Sequence, residues 1–180
     1  MKKTLTCVIP ASSSAMKDDK YFEVYKKVFK EYDILRIIVV FPAHCGKIFL
    51  NAALSFSKTQ TKVTPITVKQ PYSGLSGFAE SLQQAIPYIV SDSPDEVAII
   101  TSGGTTKMGH MVKLIGHITS QFGWEVSFLW VAKSPRNPEY TVTYLPKVVV
   151  KHSEAFLVEL VECATGQPTL IVSKGVDYEY

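Results

Sequence analysis

Five apolar runs of strand length recur along the chain, and each of the first four is followed by a helical pattern. The runs cover residues 5–9, 34–41, 63–68, 97–100 and 125–132. The second is almost wholly branched and apolar and reads as a buried strand; the third is weakened by Pro65. Between them, apolar side chains recur at helical spacing. Phe22, Tyr25, Phe29 and Tyr32 share the first helical face, with Asp18 and Asp19 near its start, where the helix dipole favours them. Ile48, Phe49, Ala52, Ala53 and Phe56 mark the second, and Phe78, Leu82, Ile86 and Ile89 the third. Met108, Met111, Val112, Ile115, Ile118 and Phe122 mark the fourth, which stops at Gly123, a residue suited to a left-handed cap. Strands alternating with helices predict a mainly parallel, doubly wound α/β sheet. Right-handed crossovers between adjacent elements predict the strand order 3-2-1-4-5.

Beyond residue 132 the rhythm changes. Lys133, Ser134, Pro135, Arg136, Asn137 and Pro138 form a polar, proline-rich loop. Residues 141–145 and 148–150 read as short strands, residues 155–163 fit helix or strand, and 169–173 favours a terminal hairpin. The expectation is one domain over 1–180, with an α/β core at 1–133 and a β-rich C-terminal extension at 134–180. The turn Pro71, Tyr72, Ser73, Gly74 precedes the third helix.

An apolar share of 46% and a charged share of 19% exclude long disorder. A net charge of +3 excludes a bulk polyanion binder, so DNA binding is not expected, while a local site for a small anion fits. Cys7, Cys45 and Cys163 are odd in number and form no C-x-x-C pair, which excludes a zinc ribbon and a thioredoxin motif. Free thiols suit a reducing compartment. The N-terminal apolar run is too short for a signal peptide, and no run approaches the ~20 residues that cross a bilayer. A cytoplasmic location without membrane attachment is the expectation.

In the predicted order, strands 1 and 4 are neighbours where the winding reverses, and ligands bind outside the carboxyl ends of strands there. Two bends would meet at that point. One is Ala11, Ser12, Ser13, Ser14 and Ala15; the other is Ser102, Gly103, Gly104, Thr105, Thr106 and Lys107. Two glycines let backbone approach a ligand, and a helix start offers N–H groups to an anion. Lys107 and the two threonines add donors. The second bend reads as a phosphate cradle, although a tight turn with a solvated lysine explains the same residues. It is neither a P-loop nor a dinucleotide fingerprint, because both spacings are missing. The serines are candidate nucleophiles or hydroxyl donors; helix capping explains them as well, Ser14 first. No G-x-S-x-G elbow supports a serine hydrolase.

His44 and Cys45 end the second strand on the same edge, and His44 is a candidate peripheral ligand contact. Adjacent side chains rarely converge as a nucleophile pair. His110 and His117 share a helix face but are too far apart for one metal ion. No carboxylate pair sits at a strand end, so no metal is expected. Lys133 and Arg136 could reach anionic groups, Lys133 the better placed; Tyr72 and Tyr140 could stack on a base or pack locally.

The run Thr101, Ser102, Gly103, Gly104, Thr105, Thr106, Lys107, Met108 resembles the Gly-Gly-Thr-Lys-x-Met signature of CARF domains, the CRISPR-associated Rossmann fold. Here Lys107 follows two threonines and directly precedes Met108, a one-residue shift from that pattern. The hydroxyl loop Ser12, Ser13, Ser14 resembles the family's other ligand-binding element, and the likeness extends as architecture over residues 1–133. It implies a Rossmann-like fold and a homodimer that binds cyclic oligoadenylate, most often the tetra-adenylate, across its two-fold axis. A free-standing domain without a HEPN R-x-x-x-x-H motif resembles the ring nucleases, which cut this messenger and switch off type III CRISPR signalling. That chemistry needs no cofactor. It implies Ser12, Ser13 and Lys107 as catalytic residues. Ala11, Ser14, Ser102, Gly103, Gly104, Thr105, Thr106, Met108, His44 and Lys133 would bind the ligand. A non-catalytic sensor of the same messenger and a small nucleotide or sugar-phosphate enzyme are the alternatives.

Overall fold

The computed structural model of the chain describes residues 1–17, 21–56, 61–68, 74–133 and 140–145. The elements run β1 (Thr4–Pro10), α1 (Glu23–Val28), β2 (Asp33–Pro42), α2 (Gly46–Phe56), β3 (Lys62–Val68), α3 (Gly74–Asp92), β4 (Glu96–Ile100), α4 (Thr106–Gln121), β5 (Glu125–Lys133) and β6 (Tyr140–Tyr144). Short 3-10 turns at Ala15–Lys17 and Ala43–Cys45 precede α1 and α2.

One sheet holds all six strands in the order β3-β2-β1-β4-β5-β6. The first five are parallel to their neighbours in the predicted order. The order gains a sixth member, because the segment read as a short strand after the proline-rich loop pairs antiparallel with β5.

Successive residues of a strand point to opposite faces, and here both faces are covered. Leu5, Cys7 and Ile9 of β1, Ile37, Val39 and Phe41 of β2, and Ala98 and Ile100 of β4 join a cluster with Phe22, Tyr25, Phe49 and Phe56. Val8, Ile38, Val40, Val97 and Ile99 join the opposite cluster with Leu82, Ile89, Met111, Val112, Ile115 and Ile118. Burial on both sides is why these strands read as unbroken apolar runs. Pro65 is exposed and sits on β3, which pairs with β2 alone among the described strands; an edge tolerates its missing N–H.

The first helix is shorter than the aromatic spacing suggests. Phe22 and Phe29 flank α1 as its caps. Tyr32 lies beyond it and donates from its hydroxyl to Glu96 at 2.9 Å. The turn is forced because the Asp33 N–H must reach the Lys3 carbonyl, at 2.9 Å, to start β2. By contrast, α3 runs three residues past Ile89, the last residue of its predicted apolar face, and through Pro87, which is exposed. Gly123 adopts φ +89° after α4, the left-handed conformation expected there. The turn around Tyr72, the loop with Arg136, residues 148–150, 155–163 and 169–173, and the Asp18–Asp19 pair lie outside the described residues.

The amino edge of the sheet is tied by polar side chains. Arg36 donates through Nε and Nη2 to both Asp92 carboxylate oxygens and through Nη1 to Thr64 Oγ1. Its guanidinium also lies 4.8 Å from the centre of the Tyr88 ring. The Asp92 hydrogen bonds hold its proton even more firmly than usual. Among the described residues, no helix is long and apolar enough to cross a membrane.

Candidate functional site: two bonded bends at the switch point

β1 and β4 lie side by side, with Leu5 opposite Glu96 and Val8 opposite Ile99. Their carboxyl ends therefore release the chain at one edge, where the winding reverses. There the Ser12 N–H donates to the Gly103 carbonyl at 3.0 Å, joining the two bends directly. Each bend is also anchored outward. The Ala11 N–H reaches Val40 O and the Thr101 N–H reaches Leu129 O, both at 2.9 Å. The ends of β2, β1, β4 and β5 are thus laced into one floor.

The glycines are required first by the chain itself. Gly103 has φ +97°, and a Cβ there would lie 2.9 Å from Tyr21 Oη and 3.2 Å from Pro10 O. A Cβ on Gly104 would come within 2.7 Å of Pro10 Cβ. Close approach of the second bend to the end of β1 needs both positions bare. The exposed Gly103 also leaves its outer side open.

The hydroxyls divide by direction. Ser102 is buried and accepts the Val131 N–H at 3.0 Å, so its Oγ turns to β5 rather than outward. Ser12 Oγ accepts the Ala15 N–H at 3.3 Å and lies 3.0 Å from Ser14 Oγ. Capping of the 3-10 turn therefore falls to Ser12. As an acceptor in that contact it keeps its own proton for Ser14 or for a ligand oxygen. Ser13 is half-buried and Ser14 exposed. Thr105 caps α4, its Oγ1 accepting the Met108 N–H at 3.4 Å. Both Thr105 and Thr106 are exposed, and Lys107 is the second residue of α4. The start of α4 thus points its first N–H groups and the positive end of its dipole at this edge. Neither bend carries an acidic residue, whereas Asp92, Asp95, Glu96 and Glu125 lie at the other edge of the sheet.

Other candidates fall around or beneath this floor. Ala11 and Met108 are buried with the α1–α2 cluster, so their side chains support the bends from below. His44 is exposed after β2, while Cys45 turns into the core at 1% exposure, so the two diverge. Lys133 ends β5 on the same edge, opposite Tyr140. His110 is exposed, and the His117 ring packs against Phe128 with centroids 4.8 Å apart. Among the described residues, no three His, Cys, Asp or Glu side chains come together as a metal site.

Sequence reasoning missed Tyr21. Its hydroxyl lies 3.5 Å from Pro10 O and accepts from Tyr25 Oη at 3.2 Å. Burial pushes the Tyr21 hydroxyl up to about 12, opposed by its bond to Tyr25, and burial raises Tyr25 well above its ordinary value. Both stay protonated in ordinary buffers. Tyr21 stands one residue outside the aromatic spacing, so periodicity had no means of finding it.

No protein-family model matches the sequence, and no curated protein matches it. Solved structures do. Can2 from Sulfobacillus thermosulfidooxidans, in complex with cyclic tetra-adenylate, is 13% identical, with a TM-score of 0.48 over 76% of this chain and 36% of that one. Csm6 from Enterococcus italicus, bound to cyclic hexa-2'-fluoro-hexa-dAMP, is 13% identical, with a TM-score of 0.46 over 93% of this chain and 40% of that one. Protein VC1899 from Vibrio cholerae is 9% identical, with a TM-score of 0.57 over 82% of this chain and 34% of that one. The chain spans little more than a third of the length of these structures. The likeness to VC1899 is one of fold alone, a Rossmann-like, mainly parallel α/β sheet.

Proposed function

We propose that the chain is a CARF-type domain that binds cyclic oligoadenylate, with cyclic tetra-adenylate as the first ligand to test, and cleaves it to linear products ending in 2′,3′-cyclic phosphate. The observation that carries this reading is the Ser12 N–H to Gly103 carbonyl bond. It joins the hydroxyl loop and the Gly-Gly-Thr-Thr-Lys bend, the two elements of the family resemblance, into one surface beside a helix N-terminus. Residues 1–180 would form one domain, a core at 1–133 with an extension at 134–180. Two copies across a two-fold axis would offer paired cradles to a ring of phosphates.

In the proposed reaction the ligand's own 2′-oxygen forms a bond to phosphorus, the bond from phosphorus to the 5′-oxygen breaks, and the 2′ proton ends on the leaving 5′-oxygen. The protein supplies alignment and charge stabilisation. Lys107 and the α4 N-terminus stabilise the growing negative charge. Ser12 and Ser13 orient ribose or phosphate, Thr105, Thr106, Ser14 and His44 line the surrounding rim, and Lys133, at the end of β5, is a further cationic candidate. Excess protein incubated with cyclic tetra-adenylate in EDTA should convert it to linear product, and native mass spectra should show one ring per dimer. Lys107→Ala should weaken binding roughly 10- to 100-fold, the range for losing a charged hydrogen bond. Bound but uncut ligand would make the chain a sensor. No binding of any cyclic oligoadenylate, with binding of a mononucleotide, would point to a nucleotide or sugar-phosphate enzyme.

A further inference from the structure

The two bends are joined by one backbone hydrogen bond, and a side chain from a third segment stands beside it. Tyr21 Oη lies 3.5 Å from Pro10 O, the last carbonyl of β1. It also lies 2.9 Å from where a Cβ on Gly103 would be. One hydroxyl therefore stands at the base of the serine bend and occupies the space a side chain would need at the apex of the glycine bend. Its ring is fixed edge-on by Phe22, with centroids 5.2 Å apart, and by Tyr25, at 5.7 Å. Phe22 is 1% exposed, so this support is part of the core. Tyr25 donates to Tyr21 at 3.2 Å. That donation occupies a lone pair and leaves the Tyr21 proton to point at Pro10 O.

We propose that Tyr21, oriented by Tyr25, is a positioning residue that sets the spacing of the two bends and so the geometry of the phosphate floor. The oxygen fills the gap that the bare Gly103 leaves, and its donation restrains the end of β1. At 3.5 Å the donation is long, so the space that the oxygen fills beside Gly103 carries much of the restraint. Without the oxygen, Gly103 can sink toward β1 and the bond between Ser12 and Gly103 loosens. Its consequence for ligand rests on the function proposed above; its consequence for the bends does not.

Amide hydrogen exchange separates the two. In Tyr21→Phe the ring and its edge-on contacts remain, and only the oxygen is lost. The Ser12 N–H should then exchange about two- to tenfold faster, the range for one weakened neutral hydrogen bond, while the Ile99 N–H in β4 keeps its wild-type rate. Tyr25→Phe should shift Ser12 in the same direction by a smaller factor, and it decides the matter if Tyr21→Phe does not fold. Unchanged Ser12 exchange, or a rise matched at Ile99, overturns the positioning role. Cyclic tetra-adenylate should bind Tyr21→Phe more weakly by a similar factor. A wild-type chain that binds no cyclic oligoadenylate refutes the functional reading and leaves the exchange result to stand alone. Wild-type binding with equal Kd in Tyr21→Phe overturns the role for Tyr21 and spares the function.

Discussion

Gly104→Ala tests the floor most directly. The added Cβ would lie 2.7 Å from Pro10 Cβ and 3.3 Å from Met108 Cβ. Carbon atoms prefer about 3.5–4.0 Å, so the bends must part by roughly 0.8 Å or more. Pro10 cannot yield, because it is buried and paired with Val40 in the sheet. The Ser12 N to Gly103 O distance is 3.0 Å. Stretched by the same amount, it leaves hydrogen-bonding range. Overpacking and the lost bond together should cost about 2–4 kcal/mol. For a chain of this size that lowers Tm by about 5–15 °C. Urea unfolding with an unchanged slope is the assay, with ligand binding measured beside it. Gly46→Ala is the control: nothing lies within 4 Å of its Cβ, and φ is −55° in helical backbone. It should stabilise by about 0.4–1 kcal/mol. If Gly104→Ala stays within about 0.5 kcal/mol of wild type and binds normally, the bends are not in the contact described.

Three further outcomes follow from particular contacts. Asp92→Ala strands the Arg36 guanidinium, whose side chain is 10% exposed, and should cost about 3–5 kcal/mol in urea unfolding; a loss below about 1 kcal/mol would show the pair to be solvated. Ser102→Ala should cost about 1–3 kcal/mol by orphaning the Val131 N–H, yet leave cyclic tetra-adenylate affinity unchanged, because that Oγ faces β5. Folded Tyr21 keeps its proton up to about 12, while the unfolded chain releases it near 10. Between those values the unfolded state binds fewer protons, so stability should fall as pH rises through that window. A urea midpoint that is flat across it would contradict the buried hydroxyl.

The sheet was legible because its strands are buried twice over: residues 34–41 carry branched side chains to both clusters, and no other element needs such a run. The helix after β1 was less so. Phe22, Tyr25, Phe29 and Tyr32 have helical spacing, yet Tyr32 leaves the helix to meet Glu96, a partner that exists only after the sheet assembles. Gly103, Gly104 and the three serines do lie in two bends that the structure joins. The directions of their hydroxyls were not readable. Ser102 turns to Val131 and Ser12 back to Ala15, choices set by which strand lies alongside and where the chain curls next. Tyr21 stands beside Gly103, far away in sequence, so no local pattern records it.

The amide bridge from Ser12 to Gly103 uses only backbone atoms of the two bends themselves. The shape of the floor is therefore fixed at folding and need not be assembled on encounter. A phosphodiester arriving there would lose its own freedom but freeze little of the protein's, which favours tighter capture per contact made. Association should then follow diffusion and orientation, without a slow loop-ordering phase in rapid-mixing traces.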